Sequence, residues 1–275
     1  LTEVIDKQKI VKNRDSFLEL AQLLYNIGDN YQRTVKLLNK IGLIFQYLNK
    51  EQLPISYEEL FDIYKSNNLL LLLLFVKKVL QPFPSILKIL KNCKDSNGQK
   101  LSYYLFSEIK NSIDDDERKS LEKEITQIFD ETIETFEKKC KNGENGSYLC
   151  SLIRQDSIQD FIIYVNQFNL SLDSTITPYY YETNKLLMNT EPSLIEYASF
   201  YGSIQIIHYL RLNDAKISPE IWLYAIHSNN AELINFLEEN EIYPKDKDYT
   251  KFLKESIKCY HNEIACYIIE NLLGK

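Results

Sequence analysis

The chain has 275 residues, a formal net charge of −7 at pH 7 and a pI of about 5.2. No strongly basic patch stands out, which argues against nucleic-acid binding, and seven glycines with seven prolines are too few for the turns of a β-sandwich or barrel. The 44% hydrophobic content can supply a core, so we expect an all-α protein.

An N-terminal helical region is predicted over residues 1–140. Apolar residues recur at helical spacing from residue 2 to about 26, and again over 35–48. Ser56 followed by Glu59 forms a capping-box pattern, which predicts that a third helix begins near Tyr57.

The longest apolar run of the chain is Leu69 to Val76. A membrane-spanning helix needs about 18 residues or more, so this run predicts a buried core helix and no membrane partner. Pro82 and Pro84 should end that helix and open another.

One long helix is predicted over residues 113–140. Four acidic residues, 114–117, stand at its start, where the helix dipole favours them, so they need no metal ion. An apolar stripe from Leu121 to Phe136 indicates packing against neighbouring helices. The alternative is a coiled coil that binds a partner helix.

The polar segment 141–146 contains two glycines and is the predicted linker. The second region, 147–275, begins after it. An irregular insertion at about 168–190 holds Pro178 and the cluster Tyr179, Tyr180 and Tyr181. These tyrosines are either partner contacts, because aromatic side chains dominate interface energetics, or ordinary core residues.

Within the second region, a helix pair repeats about three times, at 194–210, 223–237 and 256–268. Ala225 follows Ala198 by 27 residues, and the next period is 31 residues. A fainter copy lies at 156–165. Such a period is typical of solenoids, in which each helix pair covers the apolar stripe of its neighbour.

A turn between two helices is predicted at Gly202, Asn229 and Tyr260, one in each copy. Glycine and asparagine tolerate the left-handed backbone conformation that such a turn requires. Tyrosine tolerates it poorly, so the third copy should be the least regular.

Residues 194–210 closely match the inner segment of ankyrin repeats, Leu-x-x-Ala-x-x-x-Gly followed by paired apolar residues and Leu. The region from about 147 onward therefore resembles the degenerate ankyrin repeats of large protist families of unassigned function. The customary Thr-Pro-Leu-His opening is missing, and Ser218-Pro219 is the nearest counterpart. The resemblance implies an ankyrin-like helical-repeat solenoid, which the N-terminal array may continue.

A scaffold or adaptor function follows from that resemblance, with a partner protein bound on the concave repeat surface. Glu196, Glu220, Lys251 and Glu255 are expected to face it. Trp222, the single tryptophan, is either an exposed anchor on that surface or a packed residue, and we favour packing.

Five cysteines, none of them in a C-x-x-C pair, favour buried thiols in a reducing compartment, so the protein is expected to be cytoplasmic. A zinc site from His261, Cys259 and Cys266 lacks the usual short chelating pair and is disfavoured. No Walker loop, G-x-S-x-G, H-E-x-x-H or G-x-G-x-x-G occurs. We therefore assign no catalytic, cofactor-binding or metal residue and predict that the chain is not an enzyme.

The partner and its contact residues stay unknown at this level, and a monomer is expected. Two alternatives remain open. The chain, whose start at Leu1 indicates a fragment, could recruit substrate for a larger enzyme or regulatory protein. It could also be a homotypic assembly module that uses the predicted 113–140 helix.

Overall fold

The computed structural model describes residues 12–30, 35–48, 53–95, 98–177 and 179–273. The described residues form an all-α protein with 18 α-helices, one 3-10 turn and one π-helical turn, and they contain no strand. They divide into two compact units. One holds the described residues within 1–29 and 33–144, and the other holds those within 30–32 and 145–275.

The first unit contains nine helices among its described residues. They are α1 (Arg14–Asn30), α2 (Val35–Leu48), α3 (Tyr57–Tyr64), α4 (Asn68–Val76), α5 (Pro84–Asn92), α6 (Leu101–Tyr104), α7 (Phe106–Ile109), α8 (Asp115–Phe129) and α9 (Ile133–Asn142). The first helix is predicted from residue 2 to about 26, but residues 1–11 lie outside the described part. The structure describes it as α1.

The predicted capping box is confirmed at the start of α3. Ser56 Oγ accepts a hydrogen bond from the backbone N–H of Glu59, and Glu59 Oε2 accepts one from the backbone N–H of Ser56. The leucine run forms α4, in which Leu70, Leu71 and most of their neighbours are buried. A helix with apolar residues on nearly every side must lie inside a core. The prediction that the leucine run forms a buried core helix is therefore confirmed.

The single long helix predicted over 113–140 is wrong. The chain forms α8 and α9, separated at Asp130, which has a left-handed φ of 53°. Thr132 then caps α9 by accepting from the backbone N–H of Thr135. The break lets Phe136 lie 4.7 Å from Phe129, ring centroid to ring centroid. Apolar side chains of the stripe therefore pack between α8 and α9. This removes the basis for one long helix that binds a partner.

The second unit contains the other nine helices. They are α10 (Tyr148–Arg154), α11 (Ile158–Gln167), α12 (Lys185–Asn189), α13 (Leu194–Tyr201), α14 (Ile204–Leu212), α15 (Ile221–Ser228), α16 (Ala231–Glu239), α17 (Thr250–Lys258) and α18 (Asn262–Tyr267). A 3-10 turn, Lys245–Lys247, precedes α17, and a π-helical turn, Ile268–Leu272, follows α18.

Eight of these helices form four consecutive pairs. The first helices of the pairs pack on one another in chain order, α10 on α13, α13 on α15 and α15 on α17, and the second helix α11 packs on α14. Small Ala198, Ala225 and Ser256, expected at close helix approaches, are each fully buried. One continuous apolar core runs through the pairs.

Every pair turns at a residue in the left-handed region. The φ angles are 50° at Asp156, 71° at Gly202, 49° at Asn229 and 58° at Tyr260. The predicted turn positions are thus confirmed, including the unfavourable tyrosine. The fainter copy near residue 156 shares the same turn.

The insertion predicted at 168–190 is more ordered than expected. Its ends are joined by hydrogen bonds from Ile176 N–H to the Pro192 carbonyl and from Leu194 N–H to the Ser174 carbonyl. It contains α12, and the residues Tyr181, Glu182, Thr183 and Asn184 are buried. Of the three tyrosines, Tyr179 alone is exposed, and Pro178 lies outside the described residues. An exposed cluster of three tyrosines is therefore ruled out.

In the described part of the chain, every helix is too short or too polar to cross a membrane. The leucine-rich α4, which has nine residues, is the clearest example. Most of its apolar side chains are buried within the first unit, and Val76 at its end is exposed.

Candidate functional site

The four residues expected on the repeat surface have different environments. Glu220 and Lys251 are exposed and form an ion pair with each other. Glu196 completes a capping box with Ser193 at the start of α13, where its Oε2 accepts from the backbone N–H at 2.8 Å. Glu255 accepts a hydrogen bond from the buried His227. Glu220 and Lys251 are thus free to contact a partner only if the ion pair between them opens. Glu196 and Glu255 have structural roles.

Trp222 is fully buried, which excludes its use as an exposed anchor. Its indole Nε1 donates to the carbonyl of Ile242 at 2.7 Å. Its ring meets that of Tyr249 edge to face, with centroids 5.2 Å apart. The residue fixes the loop after α16 against the first helix of the same repeat.

Three aromatic side chains meet at the first helix pair of the second unit. We call Tyr148, Tyr164 and Phe168 the exposed aromatic cluster. The ring centroids are 5.6 Å apart between Tyr148 and Tyr164, and 4.6 Å apart between Tyr164 and Phe168. Tyr148 and Phe168 are each 60% exposed. Sequence reasoning missed this cluster, although the spacing of four residues from 164 to 168 on one helix indicates a shared face.

A second cluster is buried and joins two neighbouring repeats. His227 lies in the last turn of α15, whereas Glu255 and Cys259 lie four residues apart at the end of α17. The atom distances are 2.9 Å from His227 Nε2 to Glu255 Oε1, 3.5 Å from Cys259 Sγ to His227 Nε2, and 4.0 Å from that Sγ to Glu255 Oε1. We call these three residues the His–Glu–Cys cluster.

The electrostatics of this cluster follow from its burial. His227 and Cys259 are buried, and the Glu255 side chain is 16% exposed. The hydrogen bond from His227 lowers the pKa of Glu255, so the carboxylate is ionised at neutral pH. Burial raises the pKa of the Cys259 thiol, so it holds its proton. Burial also lowers the pKa of the nearby His261 to about 4, so that ring is neutral.

The cluster does not have the geometry of a cysteine nucleophile with a histidine base. In such triads the acid binds one ring nitrogen and the nucleophile binds the other. Here Glu255 binds Nε2 of His227, but the Cys259 sulfur lies at similar distances from both ring nitrogens, 3.5 and 3.7 Å, and not in line with Nδ1. The thiol is also fully buried and protonated. The groups are suited to coordination or packing, not to attack on a substrate.

The zinc set of His261, Cys259 and Cys266, which the sequence disfavours, is not among the groups of described ligand-type side chains that lie close enough together to share an ion. Cys266 is exposed, whereas Cys259 and His261 are buried. Among the described residues, His227, Glu255 and Cys259 are the one group of three or more ligand-type side chains close enough to share a metal ion. The sequence signal that could have revealed this cluster is the spacing of four residues between Glu255 and Cys259, which puts two ligand types on one helix face.

A cavity of about 220 Å³ lies in the first unit between α5, α6 and α8. Its charged residues pair with one another, Lys91 with Glu117 at 3.1 Å and Lys100 with Glu124 at 2.6 Å. Small-molecule sites usually offer convergent polar groups that a ligand can use. The charges here are satisfied within the protein, so this cavity is a weaker candidate than the two clusters.

No family model matches the chain, and no curated protein or solved structure matches it. The two candidate sites, the exposed aromatic cluster and the buried His–Glu–Cys cluster, are therefore judged on their own geometry.

Proposed function

We propose that this chain is a non-catalytic scaffold or adaptor that binds a partner protein, and that its region 147–275 is an ankyrin-like helical-repeat solenoid. The repeated sequence and the four stacked helix pairs, each with a left-handed turn, support the solenoid interpretation. A stack of this kind offers a rigid surface, which reduces the ordering cost of binding.

The observation that carries this proposal is the exposed aromatic cluster. Single exposed apolar residues are ordinary, but here the exposed rings of Tyr148 and Phe168 both contact the half-buried Tyr164 and form one aromatic patch with it. Contiguous apolar patches of this kind mark interaction sites. Tyr148 and Phe168 each leave 60% of their surface in water, so a partner that covers them gains the free energy of apolar burial.

The backbone beneath the cluster is held firmly. Cys150 and Ile153 of α10, together with Phe161 and Val165 of α11, are buried in the core of the second unit. Tyr148 and Tyr164 belong to the same two helices, and Phe168 directly follows the second one. A surface of this kind needs little rearrangement to bind, which favours affinity.

The test is quantitative affinity capture from a lysate of the source cells with the full chain as bait. We compare the wild type, a Tyr148→Ser/Phe168→Ser variant and a Leu212→Ser control. Leu212 is 83% exposed and lies outside the cluster. Losing a hot-spot ring costs roughly 2 kcal/mol, so the double variant should retain the partner at least about 30-fold less well. The control should match the wild type.

A second variant examines the surface expected from the repeat itself. Exchanging Glu220→Lys with Lys251→Glu keeps an ion pair there but reverses both charges. If this exchange releases the partner and the aromatic variant does not, binding occurs on the first-helix surface instead. If no bait retains a protein above background while all variants keep their far-ultraviolet circular dichroism, the scaffold proposal fails.

A further inference from the structure

The geometry points to a binding site for one zinc ion in the second unit, with His227, Glu255 and Cys259 as its protein ligands and a water molecule in the fourth position. This proposal is independent of partner binding. It concerns a metal that ties the last repeat to the one before it.

The ligand set suits zinc in both type and distance. Zinc accepts imidazole nitrogen, carboxylate oxygen and thiolate sulfur in tetrahedral sites. Bond lengths of about 2.0 to 2.3 Å put pairs of ligand atoms about 3.3 to 3.6 Å apart. The three observed separations, 2.9, 3.5 and 4.0 Å, bracket this range. Magnesium and calcium prefer sites made of oxygen ligands, so they fit this set poorly.

The residues that supply the ligands are fixed in position by secondary structure. Glu255 and Cys259 are four residues apart on one side of α17, an arrangement that lets two side chains of one helix chelate a single ion. His227 comes from the packed neighbour α15. It takes the position that Phe200 has one period of 27 residues earlier, and its ring stacks on that of Phe200.

Metal binding requires one local movement. Cys259 Sγ lies 3.5 Å from Nε2 and 3.7 Å from Nδ1 of His227, so the sulfur lies over the ring face and not in line with a nitrogen lone pair. A rotation of the imidazole would direct Nε2 toward the centre of the three ligands. Two hydrogen bonds, from Nε2 to Glu255 at 2.9 Å and from the Cys259 thiol to the Asn30 carbonyl at 3.3 Å, are exchanged for bonds to the metal.

The proton balance of binding is simple. Zn²⁺ binds the sulfur of Cys259 as a thiolate, and the thiol proton passes to solvent. The proton on Nε2 of His227 moves to Nδ1, which leaves a neutral imidazole with Nε2 free to coordinate the metal. The thiolate and the carboxylate carry two negative charges, which the divalent cation neutralises, and this offsets the cost of burying those charges.

The test is titration of the reduced, chelator-stripped full chain with CoCl₂ and then with ZnCl₂. We expect one Co²⁺ per chain and a thiolate-to-cobalt charge-transfer absorption in the near ultraviolet, which an equimolar amount of Zn²⁺ removes. Zinc should also raise the midpoint of thermal unfolding, because an ion that binds only the folded state stabilises it.

The variants assign the ligands. Cys259→Ala should abolish the absorption, and His227→Phe, which places there the residue found at the equivalent position 200, should weaken binding more than about tenfold while the fold is kept. Cys150→Ala, a buried cysteine of the same unit, and the exposed Cys266→Ala serve as controls and should bind like the wild type.

Two results would overturn the proposal. One is a wild-type titration without charge-transfer absorption, which would leave a His–Glu hydrogen bond beside a buried thiol. The other is an absorption that persists in His227→Phe and is lost in a control, which would place the metal at another cysteine. If Cys259→Ala fails to fold, the His227→Phe result decides by itself.

Discussion

At the scale of single residues, Trp222 gives the sharpest prediction of stability. Its substitution in Trp222→Phe removes the donor to the Ile242 carbonyl and leaves a cavity beside Tyr249. An unsatisfied polar group and a cavity together should lower the free energy of unfolding by roughly 2 to 4 kcal/mol. Urea unfolding followed by circular dichroism measures the change.

The matched control for this substitution is Leu212→Ala, because Leu212 is almost fully exposed. Its effect should stay within about 0.5 kcal/mol. Equal effects of the two substitutions would show that the indole is not a structural anchor of the second unit.

Opposite effects are expected at two equivalent turn residues. Gly202 has a φ of 71°, and an added Cβ would meet Ser228 at an ordinary 3.5 Å, so Gly202→Ala should cost about 1 kcal/mol through backbone strain alone. Tyr260 has a φ of 58° and is partly exposed. Tyr260→Asn should stabilise by roughly 0.5 to 1 kcal/mol, because asparagine tolerates this conformation.

Thermal unfolding of both variants beside the wild type checks these signs. A loss of stability in Tyr260→Asn would mean that packing of the tyrosine ring outweighs the strain of its backbone. The sequence contained this conflict, since the repeat register put tyrosine where glycine or asparagine is favoured.

At the scale of elements, the capping boxes at Ser56 and Ser193 should each stabilise one helix. Both begin helices of eight residues, α3 and α13. Ser56→Ala and Ser193→Ala should each cost about 1 kcal/mol in urea unfolding, because a backbone N–H loses its acceptor.

Ser157→Ala is the comparison for these two substitutions. Ser157 precedes α11 but makes no capping hydrogen bond with its side chain. Its replacement should cost clearly less than that of the two capping residues. A cost of the same size would show that the loss arises from the serine position in general and not from the capping hydrogen bond.

Helix starts were predictable because caps are formed by residues three apart. The break at Asp130 was not, because aspartate and glutamate are tolerated in a helix and the local pattern continues through them. The left-handed Asp130 is accompanied by the contact between Phe129 and Phe136, which a straight helix would separate.

At the scale of the whole molecule, the two compact units predict two unfolding transitions. The single tryptophan, Trp222, lies in the second unit, so its fluorescence follows that unit only. Far-ultraviolet circular dichroism follows the helices of both units. We expect the two signals to give different midpoints in urea.

Coincident midpoints, together with one cooperative calorimetric peak, would contradict this prediction. The Trp222-independent variants Ser56→Ala and Ser193→Ala refine it. Ser56→Ala should shift the circular dichroism curve and leave the fluorescence midpoint unchanged, whereas Ser193→Ala should shift both signals.

The sequence alone determined the helical class, the repeat between 194 and 268, its left-handed turns and the capping box at Ser56. These features depend on residues within a few positions of one another, or on a pattern that recurs at a fixed period. Tertiary structure alone decided the burial of Trp222 and the ordered insertion. It also brought Tyr148 next to Tyr164, and His227 next to Glu255 and Cys259. Those contacts join residues 16 to 32 positions apart, and helix packing, not local propensity, sets which side chains meet.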